Sequence, residues 1–254
     1  MHRNYRRVLP GSSAAEIRRV SRHSLVNYCC YLADFLRFGS LSRDDILSVV
    51  GGQETFKQLD GEIDAKRGIV IVCMHFGNWD LGAGATAALG YPVTVVGETF
   101  ADPRLDAMVT GARTKLGMTV LKVEKTGPSL VRPLQRQQLL ALLIDRPMDD
   151  GGVSVTFFGE PVEVPAGPAR LAIRTGAKVV PTGFPRRSRG RMDVTTFADF
   201  TIETPARGGD DEVRALTQAI MDAHERLIRE HPEQWYMFRE MWPRRRKRSN
   251  LHPA

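Results

Sequence analysis

Short runs of β-branched and other apolar residues alternate with segments that carry helix signals along most of the chain. Residues 68–74 and 91–96 are two such runs, and the alanine-rich segment 81–89 lies between them. Strand, turn, helix and strand in this order are typical of a βαβ unit, in which we expect the two strands to pair in parallel. Further strands are predicted at 138–144, 153–158 and 178–182, an exposed strand or hairpin at 192–203, and helices at 13–38, 102–117, 167–175 and 213–228. The alternation predicts an α/β fold with a central, mainly parallel sheet flanked by helices.

The length fits one large globular domain or two small ones, and no convincing domain boundary is visible in the sequence. The chain has 254 residues, of which 42% are hydrophobic and 26% charged, so it can bury a sizeable core. Ser13 and Glu16 have the spacing of a helix-capping box, which places a helix start there. We expect a single domain over residues 1–254, with a helical N-terminal part over residues 1–50.

The charge is positive and clustered near the two ends. The net charge is +7, with "RNYRR" at residues 3–7 and "PRRRKR" at residues 243–248. Such clusters attract phosphates of nucleic acid, of an anionic membrane surface or of a phosphorylated ligand, although solvated terminal segments explain them as well. Three cysteines, two of them adjacent, give neither a disulfide framework nor a metal-ligand spacing. The composition therefore favours a reduced, cytosol-side protein without a bound metal.

The stretch "IVIVCMHFGNWDLGAGATAALG", residues 69–90, combines a predicted strand with polar residues and glycines. Its segment 82–87 fits G-x-G-x-x-A, the phosphate-binding pattern of dinucleotide folds. In those folds the glycines follow the strand directly, whereas here seven residues intervene. The glycines therefore fall within the predicted helix, where close packing explains them better than a nucleotide does.

His75 and Asp80 are the first candidate catalytic residues. If His75 ends the strand and Asp80 lies in the first turn of the helix, "FGNW" can fold the carboxylate back onto the imidazole. A carboxylate in that position would keep one ring nitrogen protonated and leave the other free as a general base. The alternative is structural: a histidine bonded to a nearby carbonyl and an aspartate that caps the helix.

Other polar side chains follow neighbouring strands. Glu98 comes after the strand at 91–96, and Asp145 and Arg146 follow "LLALLI", as His75 follows its own strand. Because parallel strands end at one edge of a sheet, these side chains are expected to share that edge. Arg113 lies on the inner face of its predicted helix, where a buried guanidinium needs an anionic partner, either a protein carboxylate such as Asp145 or a ligand phosphate.

No motif for a protein nucleophile is present in the sequence. The G-x-S-x-G elbow, the P-loop and H-E-x-x-H are all missing. A histidine and carboxylate without a nucleophile suit direct attack by a substrate hydroxyl.

Several segments, in order, resemble one known family. They are "SRHSLVNYCCYLADFLR", "HFGNWDLGAG", "VVGETF", "ARTKLGM", "LIDRP", "GVSVTFFGEPVEVPAGPARLAIRTGAKVVPTGF" and "HPEQWYMFREMW". Together they are similar to the lysophospholipid acyltransferase-like superfamily and, within it, to the lipid A biosynthesis acyltransferase family, especially its actinobacterial phosphatidylinositol mannoside acyltransferases. The resemblance implies transfer of an acyl group, for example palmitoyl, from acyl-coenzyme A to a mannose hydroxyl, without a metal or a bound cofactor.

The resemblance also implies roles for individual residues. His75 would deprotonate the acceptor hydroxyl and Asp80 would orient His75, while Glu98 and Arg113 would line the substrate pocket. Asp145, Arg146 and Glu160 fall in later motifs and are predicted to bind substrate, without individual roles.

Physical reasoning adds two expectations to these roles. The backbone of Gly77 and Asn78, together with Arg113, is predicted to stabilise the oxyanion of acyl transfer. Leu81, Met108 and Phe158 are candidates for an apolar groove that would hold the acyl chain.

The resemblance further implies a peripheral protein at the cytoplasmic face of the cell membrane. Family members usually have further residues before the segment matching "RNYRRVLP", so either the start is truncated here or helix 13–38 and the basic termini contact the anionic membrane surface. Nucleic acid is not expected, because aromatic residues are not interleaved with the basic ones. The alternatives are acylation of a lipid A-type or other glycolipid, and a non-catalytic basic protein that binds lipid or nucleic acid peripherally.

Overall fold

The computed structural model describes residues 1–122, 127–148 and 151–242. Its helices are α1 (His2–Val8), α2 (Ala14–Arg37), α3 (Arg43–Ser48), α4 (Gln58–Asp64), α5 (Trp79–Ala88), α6 (Pro103–Lys115), α7 (Pro128–Gln135), α8 (Gly167–Thr175) and α9 (Asp210–Glu230). Its strands are β1 (Val50–Gly51), β2 (Ile69–Cys73), β3 (Val93–Gly97), β4 (Thr119–Lys122), β5 (Leu139–Leu143), β6 (Val153–Phe157), β7 (Glu160–Val164), β8 (Lys178–Gly183), β9 (Val194–Thr195) and β10 (Phe197–Ala198). The basic segment 243–248 lies outside the described residues.

Within the described ranges, the central sheet has the strand order β10-β8-β2-β5-β3-β4. All neighbouring strands are parallel except β10, which runs antiparallel to β8. The predicted α/β fold with a mainly parallel sheet and flanking helices is therefore confirmed. The expected direct pairing of β2 with β3 is wrong, because β5 lies between them and pairs with both. The wholly apolar sequence of β5, "LLALL", suits this central position.

The predicted strand or hairpin at 192–203 is also only partly correct. β9 and β10 are two residues each and do not pair with one another. β9 extends β1 in parallel, and β10 adds an edge to the central sheet. This segment therefore joins two sheets, because each of its two short strands pairs with a strand of a different sheet.

The long N-terminal helix forms as predicted. The Ser13 side chain accepts a hydrogen bond from the Glu16 backbone N–H, and the Glu16 carboxylate accepts one from the Ser13 backbone N–H. These bonds satisfy two backbone N–H groups that a helix end leaves open. Ile17 packs in the hydrophobic core on one face of the sheet, and Tyr31 and Phe35 pack in the core on the other. α2 therefore passes from one helical layer to the other.

Alternate strand residues supply the two cores. Val70 and Val72 of β2 point into the first core, beneath α8, α9 and the β6–β7 hairpin, whereas Ile69 points into the second, beneath α5 and α6. The glycines of the G-x-G pattern lie inside α5 and serve packing, as predicted. A Cβ on Gly82 would lie 2.2 Å from the ring of Phe184, so only glycine lets this ring lie against the helix.

A helix that crosses a membrane must be both long and apolar. Among the helices of the described ranges, none combines the length and the apolar character needed to cross a bilayer.

His224 gives the fold a dependence on pH. This side chain of α9 is buried beneath the sheet, and its Nε2 lies 3.1 Å from the Val72 carbonyl oxygen. Burial lowers the pKa of His224 from 6.5 to about 4. The unfolded chain therefore binds a proton between these values that the folded chain does not, and stability is lost as pH falls from about 6.5 to about 4.

We expect His224→Gln to remove this dependence. Between about pH 7 and about pH 5 the wild-type protein should lose roughly 2 kcal/mol more unfolding free energy than the variant does. Urea unfolding at both pH values, followed by circular dichroism, measures the difference. Equal losses in the two proteins would show that His224 does not carry the effect.

Candidate active site

His75 lies at the carboxyl edge of the sheet, two residues after β2 ends. Its position is fixed by the C-terminal segment, because the backbone N–H of Tyr236 donates to the His75 carbonyl at 2.7 Å and that of Gly77 donates to the Gln234 carbonyl at 3.0 Å. Gly77 has φ +60°, and a Cβ there would lie 2.0 Å from the Phe184 carbonyl oxygen. The turn after His75 therefore requires glycine.

The carboxylate that contacts His75 belongs to Asp145. Its Oδ1 lies 2.7 Å from His75 Nδ1, while its Oδ2 accepts hydrogen bonds from the His75 backbone N–H at 3.0 Å and from Trp235 Nε1 at 3.1 Å. Asp145 is fully buried, and the His75 side chain is 20% exposed. The predicted contact between Asp80 and His75 is wrong. β5 occupies the position next to β2 and brings Asp145 to the imidazole instead.

The hydrogen bonds of Asp145 indicate which ring nitrogen of His75 carries a proton. Burial works to raise the pKa of the Asp145 carboxyl, but the His75 imidazole and the bonds from His75 and Trp235 outweigh it, so the pKa lies below its ordinary value. An ionised carboxylate only accepts, so Nδ1 of His75 carries a proton, and in a neutral imidazole the lone pair then lies on Nε2. No group of the described residues hydrogen-bonds Nε2. This nitrogen is available to a substrate.

Asp80 lies in the first turn of α5, as predicted, but it binds other partners. Arg113 donates from Nε to Oδ1 at 2.7 Å and from Nη2 to Oδ2 at 3.2 Å, and the Tyr31 hydroxyl donates to Oδ2 at 2.7 Å. Burial and then the Asp80 charge raise the pKa of Tyr31 well above its ordinary value, so its hydroxyl remains a donor. Asp80 therefore joins α2, α5 and α6. The partner of Arg113 is a protein carboxylate, as one of the two alternatives predicted, but it is Asp80 and not Asp145.

Asn78 is a buried structural residue in this arrangement. Its side-chain oxygen accepts the Leu81 backbone N–H and caps α5, while its amide donates to the Asp34 carboxylate at 3.0 Å. Arg186 donates to the same oxygen, Oδ2 of Asp34. The Asn78 backbone N–H donates to the Phe184 carbonyl at 2.9 Å, and that of Gly77 is also bonded. Neither amide is free for an oxyanion, which overturns that expectation.

The remaining predicted residues lie at the periphery. Glu98 and Arg146 form an ion pair across the ends of β3 and β5, so the expected polar edge is confirmed for these strands. Glu160 begins β7 and pairs with Arg7 of α1 at 3.2 Å. Among the described residues, no hydrogen bond or ion pair connects Glu160 with His75.

An apolar pocket lies beside the catalytic loop, over the face of the sheet covered by α5. It has about 780 Å³ of space not occupied by atoms, part of it open to solvent. Trp79 lines the pocket and contacts the His75 ring edge to face, with ring centroids 5.4 Å apart. Other residues that line the pocket include Phe56, Ile71, Cys73, Asp80, Ala83, Thr86, Val93, Val95, Arg113, Leu139, Ala141, Leu143, Thr182 and Thr196.

The three residues predicted to line an apolar groove lie elsewhere. Leu81 is buried in the second core, Phe158 belongs to the first core beside Trp235, and Met108 is 46% exposed. The prediction failed because side chains that suit a pocket wall suit a core equally well.

Two features of the site have no local signal in the sequence. Trp235 and Tyr31 donate to the carboxylates of Asp145 and Asp80, although each is distant from its partner along the chain. "HPEQWYMFREMW" was recognisable only as a segment of the family resemblance. The bonds that fix the site are therefore visible only in three dimensions.

Comparison with known proteins identifies the family of the chain. Residues 1–244 match the sequence model of a family described as bacterial lipid A biosynthesis acyltransferase. A phosphatidylinositol mannoside acyltransferase of Mycobacterium tuberculosis is 30% identical over 251 residues, which cover 95% of this chain and 76% of the relative. The protein of the same name from Mycolicibacterium smegmatis is 30% identical over 259 residues, covering 95% of this chain and 78% of the relative. The chain therefore belongs to the bacterial lipid A biosynthesis acyltransferase family and is an acyltransferase.

Proposed function

We propose that the protein transfers a fatty acyl group from acyl-coenzyme A to a sugar hydroxyl of a glycolipid, namely a mannose of a phosphatidylinositol mannoside. The observation that carries the proposal is the free Nε2 of His75, whose Nδ1 is bonded to Asp145, beside an apolar pocket. A general base next to a site for a hydrocarbon chain suits O-acyl transfer without a protein nucleophile.

The reaction follows from these two groups. Nε2 of His75 takes the proton of the acceptor hydroxyl as its oxygen attacks the thioester carbonyl. The resulting imidazolium is stabilised by the buried Asp145 carboxylate, which remains ionised. When the tetrahedral intermediate collapses, the carbon–sulfur bond breaks, and the leaving thiolate takes the proton from Nε2. The products are the ester and free coenzyme A, and the histidine returns to its starting state.

The pocket supports a hydrocarbon ligand. Three of its threonines donate their hydroxyls to backbone carbonyls: Thr86 to Gly82, Thr182 to Val180 and Thr196 to Gly51. These bonds satisfy the three hydroxyls within the protein, so none of them requires a polar group of a ligand in the pocket. Burial of each methylene of a ligand there contributes about 0.8 kcal/mol.

The choice of acceptor rests on the relatives, both named phosphatidylinositol mannoside acyltransferases. The alternative acceptors are a lipid A precursor and other glycolipids. Incubating the protein with one labelled acyl-coenzyme A and each acceptor in turn, with product mapping by mass spectrometry, distinguishes them. Preference for a lipid A precursor would overturn the mannoside assignment while leaving acyl transfer intact.

The outer face of α2 supports contact with an anionic membrane surface, at the cytoplasmic side of the cell membrane. Leu25, Leu32 and Leu36 are 48%, 43% and 69% exposed and follow Arg18 and Arg22 along one face of the helix. We call these five residues the α2 stripe. Apolar side chains beside arginines are typical of helices that lie on anionic lipid.

Substitutions at the dyad test the mechanism. We expect His75→Ala and Asp145→Asn to lower kcat by roughly 10²–10⁴-fold, because the general base is lost or loses its fixed tautomer. Both variants should keep the wild-type circular dichroism spectrum. Transfer of palmitoyl from coenzyme A to phosphatidylinositol mannosides provides the measurement, and near-normal kcat in His75→Ala would refute the mechanism.

Asp80→Asn separates the two carboxylates of the site. The variant leaves the largely buried Arg113 without its anionic partner, so the unfolding free energy should fall by roughly 3 kcal/mol. The kcat of the folded fraction should fall much less than that of Asp145→Asn. If Asp80→Asn is fully stable and as inactive as Asp145→Asn, Asp80 acts in the chemistry itself.

Substitutions in the α2 stripe test membrane contact. Leu32→Gln with Leu36→Gln should weaken flotation with anionic vesicles by about tenfold or more, since two leucines no longer enter the lipid surface. Met148→Gln is the matched control, because Met148 is 38% exposed and bonds through its backbone to the β6–β7 hairpin. Equal flotation of the double variant and wild type, or a preference for nucleic acid in a mobility-shift assay, would contradict this assignment.

A further inference from the structure

The sheet wall of the apolar pocket has a small residue, Ala141, at its centre. Ala141 is the middle residue of β5, and it pairs with Ile71 of β2 on one side and Val95 of β3 on the other. All three residues line the pocket. The small side chain therefore lies between two large ones, at the centre of the sheet surface that forms the pocket wall.

The strand register divides this wall into levels. Cys73 and Leu143 pair at the upper level, nearest His75, and Leu139 pairs with Val93 at the lower level. These levels are four residues apart, which is about 13 Å along the strands. Ala141 lies midway between them. A chain that enters beside His75 and follows the strands must pass over it.

The opposite wall has its own small residue at this height. α5 runs back from the carboxyl edge of the sheet, and Asp80 in its first turn and Ala83 both line the pocket. Ala83 is three residues further along the helix, about 4.5 Å deeper. Ala141 lies about 6.6 Å below the upper level of the sheet. Ala83 and Ala141 therefore line the middle of the pocket from opposite sides.

We infer that Ala83 and Ala141 set the longest acyl chain that the enzyme accepts, by keeping the pocket open at its middle. The inference rests on the proposed function and names the residues that determine its donor specificity. Because the pocket is narrow and its walls are close-packed, a leucine side chain at either position would occupy the path of a linear chain. Donors that end above this level would be unaffected, and longer ones would no longer fit.

Leucine substitutions at the two positions test the inference. For Ala83→Leu and Ala141→Leu we expect kcat/KM with hexadecanoyl-coenzyme A to fall by about tenfold or more, while the value with octanoyl-coenzyme A changes little. Dodecanoyl-coenzyme A locates the new limit. Ala88→Leu is the matched control, because Ala88 belongs to the same helix and is not among the pocket-lining residues. It should keep the wild-type chain-length profile.

A reciprocal substitution covers the case in which added bulk prevents folding. Val95→Ala enlarges the pocket beside Ala141, so the ratio of kcat/KM for hexadecanoyl- over octanoyl-coenzyme A should rise relative to wild type. An increase for longer donors supports the role of this level even if neither leucine variant folds. An unchanged ratio in Val95→Ala contradicts it.

The outcomes separate this inference from the proposed function. If the wild-type protein transfers none of these acyl groups, the proposed function itself is wrong. If the wild type is active and the leucine variants lose activity equally with every donor, only the assignment of chain-length selection to Ala83 and Ala141 is wrong.

Discussion

The buried carboxylate of Asp145 is the interaction on which the geometry of the site depends. It accepts hydrogen bonds from the His75 ring, the His75 backbone and the Trp235 indole, and it is fully buried. A buried carboxylate with too few hydrogen-bond donors would become protonated or would need other hydrogen-bond partners. Here the donors keep it ionised, and one bond orients the imidazole with Nε2 directed away from the carboxylate. The ionised state of Asp145 and the orientation of the His75 ring therefore have the same structural cause, the hydrogen bonds to Asp145.

Two further buried carboxylates, those of Asp34 and Asp80, support the loop that carries His75. Tyr31 and Asp34 are three residues apart on α2 and so share a face. Tyr31 donates to Asp80, and Asp34 accepts from Asn78. The loop is thus bonded at both sides of Trp79 to one helix, whose leucines Leu25, Leu32 and Leu36 are exposed. The same helix positions the catalytic loop and presents the surface proposed to meet lipid.

The sequence predicted the location of the site better than its bonding. His75 after a strand, Asp80 in the first turn of a helix and Asp145 at the same sheet edge were all predicted from local patterns. The pairing was wrong because it depends on strand order, and no local pattern shows that β5 lies between β2 and β3. Asn78 and Gly77 failed as oxyanion donors for a similar reason, since their N–H groups are bonded to Phe184 and Gln234, far along the chain. Side chains and turns near one another in sequence were predictable, whereas contacts between distant segments were not.

The C-terminal segment that contains Trp235 affects when the active site forms during folding and when it is lost on heating. Asp145 is 70 residues from His75 and 90 residues from Trp235, so its hydrogen bonds close long loops and contribute only after the sheet has formed. The active site is therefore completed late in folding. By the same connectivity, local release of the segment around Trp235 would remove a donor from Asp145 and the backbone support of His75 while the sheet remains intact. Inactivation by mild heating should then precede loss of secondary structure, with the catalytic pair as the least stable part of a stable scaffold.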